Sequence, residues 1–424
     1  MKRSFILGLV MIVAVSCLSG CGGGGGGGSD SASPTPAPVP TPSISTQGSL
    51  DFGVAVIGSS STRQLLISNV GTGPLNVGQL SLPINSSFQI TTDNCSGQRI
   101  SSQANCSIAI QFAPTSQIDH SEALTIPSND STKDPLTLVL TGKGRALDPK
   151  INDVKTDSCG NDPKVLKLLV SVTTSAGVPV AGLSSNNFTV SENGLQKPIR
   201  GLIHPITTPI SVDLVLDYSG SLSAAERPVI ENAAKSFVAK LVNGVDEGGV
   251  IKFALTIGAK TDFTTNQSAL NAALDAPYPG DTGGTILYDA LITAIDDTAL
   301  RTNSRRAIIV FSDGFDEEST HTLAAVIDRA ILKGIPIFAI AYTNAANPKP
   351  EIMQQLAQQT RGEFFLAPSI SDVEGIYAKI SDILSSQYLI EYVSASTGGI
   401  TASFHVEVNN NGDLGEDSIE KPGC

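Results

Sequence analysis

Residues 212–221 constrain the fold of this chain more than any other stretch. An apolar run of valine and leucine within 212–216 predicts a strand that is buried in a parallel sheet. The loop after it carries three oxygen-bearing side chains at alternate positions: Asp217, Ser219 and Ser221. One carboxylate and two hydroxyls with this spacing converge where the backbone curls at a strand end, and they are hard donors of the kind that Mg²⁺ prefers. The alternative is an ordinary turn whose side chains hydrogen-bond their own backbone.

Two other segments supply groups that complete such a site. Gly283-Gly284-Thr285 precedes a helical pattern, and the segment as a whole reads Gly-Gly-Thr-x-x-x-Asp, ending at Asp289. Ser312-Asp313-Gly314 follows a second buried strand at 307–311. Ligands of doubly wound sheets bind at the carboxyl ends of strands, which is where Asp217 and Asp313 fall.

This set of residues resembles the metal-ion-dependent adhesion site of von Willebrand factor type A domains. The positions that match are Asp217, Ser219, Ser221, Thr285 and Asp313. The resemblance implies a doubly wound, Rossmann-like α/β domain over residues 208–387, less than half of the chain. It also implies that these residues hold Mg²⁺, with Mn²⁺ or Ca²⁺ as alternatives, directly or through water. One coordination position then remains for a carboxylate of a partner protein.

Within 208–387 the strands and helices alternate, as a doubly wound sheet requires. Further strands are predicted at 250–257, 307–311, 335–341 and 363–365, and apolar spacing from Ile230 to Leu241 predicts the first helix. The acidic run Asp316, Glu317 and Glu318 is interpreted as the first turn of a helix, where a negative charge is favourable. The alternative is that these residues select the partner or hold a second cation.

The net charge of −13 argues against nucleic acid as a partner, because such a surface repels phosphate. With 424 residues and 41% hydrophobic content, the chain is long enough for two or three domains.

The first 21 residues form a segment with its own charge and apolar pattern. Lys2 and Arg3 precede a short apolar run at 5–15, and the tetrad at 18–21 (Leu-Ser-Gly-Cys) resembles a lipobox. The resemblance implies cleavage before Cys21 and acylation of that cysteine, so that lipid alone attaches the protein to the membrane. The alternative is an ordinary signal peptide followed by a chance cysteine. The predicted location is the bacterial cell envelope, at the outer membrane or cell surface.

Period-two alternation of apolar residues between 48 and 144 predicts half-buried antiparallel strands. Several segments of this region resemble immunoglobulin-like domains of the abnormal-spindle and hydin type, among them Leu-Asp-Phe-Gly at 50–53 and Phe-Ala-Pro at 112–114. Cys95 and Cys106 flank a polar loop and are predicted to form a disulfide in an exported protein.

A second β-domain is predicted on both sides of the α/β domain. Strand patterns lie at 166–172 and 188–190, with a tight hairpin at 192–194, and two more follow at 388–393 and 403–408. The residues at 409–420 are interpreted as an acidic tail that lacks the placing of an EF-hand loop. A Cys159–Cys424 disulfide would join the ends of this split domain, and it belongs to one of the three connectivities that the four thiols other than the acylated Cys21 allow.

The sequence therefore predicts a signal peptide (1–20), a Gly/Pro-rich tether (21–46), an all-β immunoglobulin-like sandwich (47–146), a split β-sandwich (150–207 with 388–424) and the inserted type A domain (208–387). The first functional hypothesis is a surface lipoprotein that binds a protein ligand through its metal and catalyses no reaction. The alternatives are an envelope enzyme or enzyme accessory that uses the metal, and a scaffold with a vestigial site.

Overall fold

The computed structural model describes residues 39–156, 160, 163–345, 347–395 and 400–423. The predicted signal peptide, Cys21, Cys159 and Cys424 lie outside the described residues, and so do the predictions of acylation and of a Cys159–Cys424 disulfide. Within the described part of the chain, none of the helices has the length and apolar character needed to cross a membrane.

The first β-domain contains nine strands. They are β1 (Ile44–Ser45), β2 (Ser49–Val56), β3 (Ser61–Asn69), β4 (Leu75–Asn76), β5 (Phe88–Asp93), β6 (Arg99–Ile100), β7 (Asn105–Phe112), β8 (Asp119–Ile126) and β9 (Leu136–Arg145). Two sheets with the orders β1-β3-β7-β5 and β2-β9-β8 enclose one apolar core, and β4 pairs with β6. Phe52, Phe88 and Phe112 form the centre of that core, with ring centroids 4.8–6.0 Å apart. The predicted Cys95–Cys106 disulfide is present.

One strand pairing in this domain differs from the prediction. All strands were expected to be antiparallel, but β2 runs parallel to β9. Period-two alternation indicates only that one face of a strand is buried. It is the same whether the neighbouring strand is parallel or antiparallel. The alternation at 50–56 therefore predicted the strand correctly and its pairing wrongly.

The second β-domain begins with β10 (Leu147–Lys155), β11 (Val165–Thr174), β12 (Phe188–Glu192), β13 (Leu195–Lys197) and β14 (Ile199–Ile203). Asn193 and Gly194 form the hairpin between β12 and β13, with φ values of 52° and 75°. Such positive φ values at both central residues are typical of a type I′ turn, for which Asn-Gly is the preferred sequence.

The chain then enters the α/β domain. Its strands are β15 (Ile210–Asp217), β16 (Glu247–Phe253), β17 (Ile257–Thr264), β18 (Arg305–Ser312), β19 (Ile337–Tyr342) and β20 (Phe364–Ala367). Its helices are α1 (Arg227–Val238), α2 (Gln267–Asp275), α3 (Leu287–Ala299), α4 (Leu323–Lys333), α5 (Pro350–Gln359) and α6 (Val373–Ser385).

A six-stranded sheet with the order β17-β16-β15-β18-β19-β20 forms the centre of this domain. Apolar side chains of α1, α2 and α6 pack on one face, and those of α3, α4 and α5 pack on the other. This arrangement buries β15 on both sides, which explains its mainly apolar sequence.

The edge of the sheet differs from the prediction. The expected strand at 250–257 ends at Phe253, and the chain reverses into β17, which runs antiparallel to β16. Because β17 lies at an edge and is largely half-exposed, it lacks the apolar run that marked the inner strands. Helix α1 also ends at Val238, before Leu241.

After the α/β domain the chain returns to the second β-domain through β21 (Tyr388–Val393), β22 (Thr401–Asn410) and β23 (Asp413–Pro422). Its two sheets have the orders β10-β11-β21-β14 and β13-β12-β22-β23. Strands from before and after the insertion pair with each other in both sheets, as β11 does with β21 and β12 with β22. The interpretation of 409–420 as a tail was wrong, since β23 pairs with β22 over ten residues.

Candidate metal centre

The candidate site lies where the two central strands of the α/β sheet end. Strands β15 and β18 are parallel neighbours, with Leu216 opposite Phe311. Their carboxyl ends therefore place Asp217 beside Ser312 and Asp313. Asp217 is 1% exposed and Asp313 is 6% exposed, so both carboxylates are largely removed from water.

The loop after β15 is held by a hydrogen bond to its own aspartate. The Ser219 amide donates to Asp217 Oδ1 over 2.8 Å, and this contact curls the backbone at the strand end. The hydroxyl oxygens of Ser219 and Ser221 then lie 3.1 Å apart. The hydroxyls of Ser219 and Ser221 therefore lie together in the loop that Asp217 holds, and their role as metal ligands stays a prediction.

Ser312 forms a hydrogen bond with the Asp217 carboxylate, a role that the sequence motif did not predict. Its hydroxyl donates to Asp217 Oδ2 over 2.7 Å and accepts from the Gly314 amide over 3.0 Å. Asp313 Oδ1 accepts from the Phe315 amide over 2.9 Å. Hydrogen bonds thus fix the orientations of both carboxylates. The only sequence signal for Ser312 was its position at the end of a buried strand.

Gly314 is required by the backbone at this point. Its φ is 82°, and a Cβ there would lie 2.4 Å from the Lys349 carbonyl oxygen. A larger residue would therefore push apart the loop after β18 and the N-terminus of α5.

The segment that carries Thr285 is attached to the loop after β18. Thr285 is 4% exposed, and its carbonyl oxygen accepts from the amides of Glu317 and Glu318 over 3.1 and 3.2 Å. On its other side, this segment approaches the loop after β15, since a Cβ on Gly220 would lie 3.2 Å from the Thr282 carbonyl oxygen. The three sequence-predicted segments therefore form one group of adjoining loops.

The acidic run at 316–318 does not lie in a first helical turn, so that interpretation was wrong. Helix α4 begins at Leu323, and the Thr322 side chain caps it by accepting from the Ala325 amide. Asp316 instead accepts from the Tyr288 amide over 3.1 Å, and Tyr288 belongs to the first turn of α3. A carboxylate does lie at a helix N-terminus, as expected, but the helix is α3 and not α4.

Asp289 holds the same loop from the side of α3. Its carboxylate accepts from the amides of Thr320 and His321 over 3.0 and 2.9 Å and contacts His321 Nδ1 at 2.7 Å. These hydrogen bonds lower the pKa of Asp289 against the opposing effect of burial. The aspartate that ends the second motif is thus a loop anchor.

The electrostatics of the site favour a cation. Burial raises the pKa of Asp217 to about 6, the charge of Asp313 adds to the effect, and the hydrogen bonds from Ser312 and Ser219 oppose it. Among the residues that the structure describes, no lysine, arginine or histidine forms an ion pair with Asp217 or Asp313. Buried carboxylates without a paired cation are costly, and a bound metal ion relieves that cost.

The donor set fits a hard divalent ion. Two carboxylates and the hydroxyls of Ser219, Ser221 and Thr285 are all oxygen ligands. No group of three or more His, Cys, Asp or Glu side chains suited to a metal occurs in the described parts of the chain. Any centre here therefore depends on hydroxyl ligands, which also fits Mg²⁺ better than Zn²⁺.

The fold agrees with the families whose models match the chain. Residues 212–379 match the von Willebrand factor type A domain. Residues 39–135 match the domain described as abnormal spindle-like microcephaly-associated, ASPM-SPD-2-Hydin. The protein is thus multidomain, with an N-terminal immunoglobulin-like β-domain and a type A domain, and the predicted fold class is confirmed.

Individual relatives are distant. No curated protein matches the chain significantly. Among solved structures, BatB from Bacteroides thetaiotaomicron is 21% identical, covering 42% of this chain and all of that one, with a TM-score of 0.35. A von Willebrand factor type A protein from Catenulispora acidiphila is 13% identical, covering 65% of this chain and 72% of its own, with a TM-score of 0.37. The vWF domain of the type V pili tip protein Mfa5 from Porphyromonas gingivalis is 14% identical, covering 42% and 95%, with a TM-score of 0.34.

Proposed function

We propose that this protein binds Mg²⁺ at the ends of β15 and β18 and uses the ion to hold a carboxylate of a partner protein. The observation that supports this most strongly is the pair of buried aspartates, Asp217 and Asp313, which share one site without a cationic partner. Two negative charges in a largely water-excluded site require compensation, and the surrounding hydroxyls are suited to a metal ion.

Each residue has a distinct part in the proposal. Asp217 and Asp313 supply charge, while Ser219, Ser221 and Thr285 supply neutral oxygen ligands. Ser312 and the Ser219 amide hold the Asp217 carboxylate in place before the ion arrives. Each oxygen of that carboxylate retains a further lone pair, since each accepts one of these two hydrogen bonds.

The bound ion would supply a positive charge with an open coordination position at the protein surface. A carboxylate is the side chain that best fills such a position on a hard cation. Five protein ligands on a six-coordinate ion would leave one position for an outside ligand, so we propose a protein-binding role rather than catalysis.

The metal proposal is tested by titrating Mg²⁺ into the wild type and into Asp217→Ala by calorimetry. We expect one ion per wild-type chain and at least a tenfold loss of affinity in Asp217→Ala, because no neutral group replaces the charge. Asp296→Ala is the matched control, since Asp296 is an exposed aspartate of α3 that pairs with Arg329. Equal ion binding by wild type and Asp217→Ala, with unchanged circular dichroism, would remove the proposed site.

We also propose that lipid on Cys21 anchors the protein in the bacterial envelope, a proposal supported by the lipobox-like tetrad at 18–21. Mass spectrometry of the mature N-terminus should find a diacylglycerol-modified Cys21, and Cys21→Ser should yield an unacylated, released protein. An unmodified Cys21 in protein from native membranes would contradict the anchor without affecting the metal proposal.

A further inference from the structure

The residue between the first two candidate ligands is a buried tyrosine. Tyr218 is 3% exposed, and two cationic groups lie over its ring. Lys252 Nζ is 4.9 Å from the ring centroid and Arg227 Cζ is 5.6 Å from it. The Tyr218 hydroxyl donates to Glu231 Oε1 of α1. Both the ring and the hydroxyl of this side chain are therefore held in place.

Lys252 connects this tyrosine to the segment that carries Thr285. It is fully buried, and its ammonium group donates to Glu231 Oε1 over 3.1 Å. It also donates to the carbonyl oxygens of Leu274 and Ala276 over 2.6 Å each, at the C-terminus of α2. All three ammonium donors are thus used. The Lys252 ammonium group, which lies over the Tyr218 ring, therefore also holds the start of the segment that leads from α2 to Thr285.

Arg227 also lies over the Tyr218 ring, and it holds the backbone of the loop that carries Ser219 and Ser221. Its Nη2 donates to the Tyr218 carbonyl over 3.2 Å and lies 3.4 Å from the Leu222 carbonyl. These two carbonyls flank Ser219 and Ser221. One guanidinium group therefore spans the loop that carries both serine ligands.

A second tyrosine completes the connection between the loops. The rings of Tyr218 and Tyr278 have centroids 5.5 Å apart, and the Tyr278 hydroxyl donates to the Thr256 carbonyl over 2.8 Å. Gly258 and Gly280 pack directly against the Tyr278 ring, where a Cβ on either would collide with it. Tyr278 is thus fixed from both sides, and it belongs to the segment between α2 and Thr285.

We propose that Tyr218 is a positioning residue of the metal centre. Its ring, held by Lys252, Arg227 and Tyr278, sets the separation between the serine hydroxyls and Thr285 before an ion binds. This inference rests on the proposed function. A site whose ligands are already in place loses little conformational freedom on binding, whereas a mobile loop must be ordered by the ion and binds it more weakly.

A buried tyrosine can also be an ordinary core residue, and Tyr377 provides the comparison. Tyr377 is fully buried in the same apolar core, where it packs against Phe237 at a centroid distance of 6.1 Å. Its hydroxyl has no hydrogen-bond partner among the described residues. Tyr377→Leu therefore removes similar volume from the same core but leaves in place the Tyr218 ring, over which Lys252 and Arg227 lie.

The experiment compares the full chains of the wild type, Tyr218→Phe, Tyr218→Leu and Tyr377→Leu. Calorimetry gives the dissociation constant for Mg²⁺, thermal unfolding without Mg²⁺ gives stability, and hydrogen exchange of the metal-free protein reports the mobility of 218–222. We expect Tyr218→Leu to bind Mg²⁺ about tenfold more weakly and to exchange faster at 218–222. Tyr218→Phe keeps the ring, and its affinity for Mg²⁺ should fall only about two- to threefold. Tyr377→Leu should lower the melting temperature and leave the Mg²⁺ dissociation constant unchanged.

The outcomes are distinguishable. If the wild type binds Mg²⁺ and Tyr218→Leu binds it within twofold of the wild type, the positioning role is overturned. The same holds if Tyr377→Leu weakens binding as much as Tyr218→Leu does. If Tyr218→Leu does not fold, Tyr218→Phe decides, because unchanged affinity and unchanged exchange at 218–222 would overturn the proposal. A wild type that binds no Mg²⁺ would overturn the proposed function instead.

Discussion

At the scale of single residues, the least expected feature is a buried carboxylate in the strand that leads to the candidate metal centre. Asp213 lies in the middle of β15, is 1% exposed, and has no hydrogen-bond partner for Oδ1 among the described residues. It faces Asp297 and Lys260, and a Cβ on Gly249 would lie 2.8 Å from its Oδ1. Burial raises the pKa of Asp213 well above its usual value, and the charge of Asp297 adds to this effect.

This pKa shift has a definite consequence for stability. Below the unfolded pKa, near 3.8, Asp213 is protonated in both states and contributes no penalty. As the pH rises towards the higher folded pKa, the unfolded state releases its proton first, so the free energy of unfolding falls. Asp213→Asn should therefore stabilise the protein by about 1–3 kcal/mol at pH 8 and by much less at pH 4.5.

Urea unfolding of the wild type and Asp213→Asn at the two pH values tests this prediction. Asp296→Asn serves as the control, because an exposed aspartate paired with Arg329 should change stability by less than about 1 kcal/mol at either pH. A gain from Asp213→Asn that is the same at pH 4.5 and pH 8 would contradict the proposed ionisation.

The local part of the site could be predicted from the sequence, whereas the contacts between separate elements could not. The spacing of Asp217, Ser219 and Ser221 at a strand end was sufficient to predict that they lie together in one loop, because local geometry determines it. Ser312 and Tyr218 were not predicted as participants. Their roles depend on contacts with Asp217, Lys252 and Arg227 that arise only when separate elements pack together.

At the scale of elements, β23 is a strand that sequence patterns missed and that contacts two other domains. Glu416 accepts from Lys143 and Arg145 of β9 over 2.7–3.2 Å. Asp417 accepts from Arg361 of the α/β domain over 3.0 Å and from the Ile151 amide over 2.8 Å. Neighbouring residues of a strand point to opposite faces, so one strand contacts two different domains.

This arrangement predicts separable effects of two substitutions. Glu416→Gln should weaken the contact between β23 and β9, and Asp417→Asn should weaken the contact between β23 and Arg361. Each substitution should cost about 1.5–3 kcal/mol of stabilisation, because charge-assisted hydrogen bonds are lost. Hydrogen exchange should rise at 143–146 in the first variant and near 361 in the second. The control is Asp296→Asn on α3, since Asp296 is an exposed aspartate that pairs with Arg329 and does not belong to β23. Identical exchange profiles for all three variants would contradict this role of β23.

The charges of β23 also explain why its sequence was misinterpreted. Its residues 416–417 resemble solvated tail residues when they are considered alone, since strands seldom carry adjacent acids. Their cationic partners lie more than 50 residues away in sequence, at 143–145 and 361. Similarly, β17 lacked a strand signal because it lies at a sheet edge. Inner strands such as β15 and β18 were predictable because burial on both faces imposes a mainly apolar sequence.

At the scale of the whole molecule, the candidate metal centre lies at the carboxyl ends of β15 and β18 in the α/β domain. Both ends of this domain continue into the split β-domain. Residues 41–424 form one compact unit, and charged pairs join the α/β domain to its neighbours. The order of domains followed from composition and motif resemblance. The pairing of β11 with β21 and of β12 with β22 across the inserted domain required the structure, because sequence gives no register between such distant strands.

A diffraction experiment can show whether the ends of β15 and β18 bind a divalent ion. Mn²⁺ accepts the same oxygen ligands as Mg²⁺ and scatters anomalously, so crystals grown with MnCl₂ locate the ion without ambiguity. We predict one anomalous difference peak within about 2.5 Å of the Ser219 and Ser221 hydroxyls, next to Asp217, Thr285 and Asp313. Crystals of Asp217→Ala should lack that peak. A wild-type peak elsewhere, or an empty site at millimolar Mn²⁺, would contradict the account.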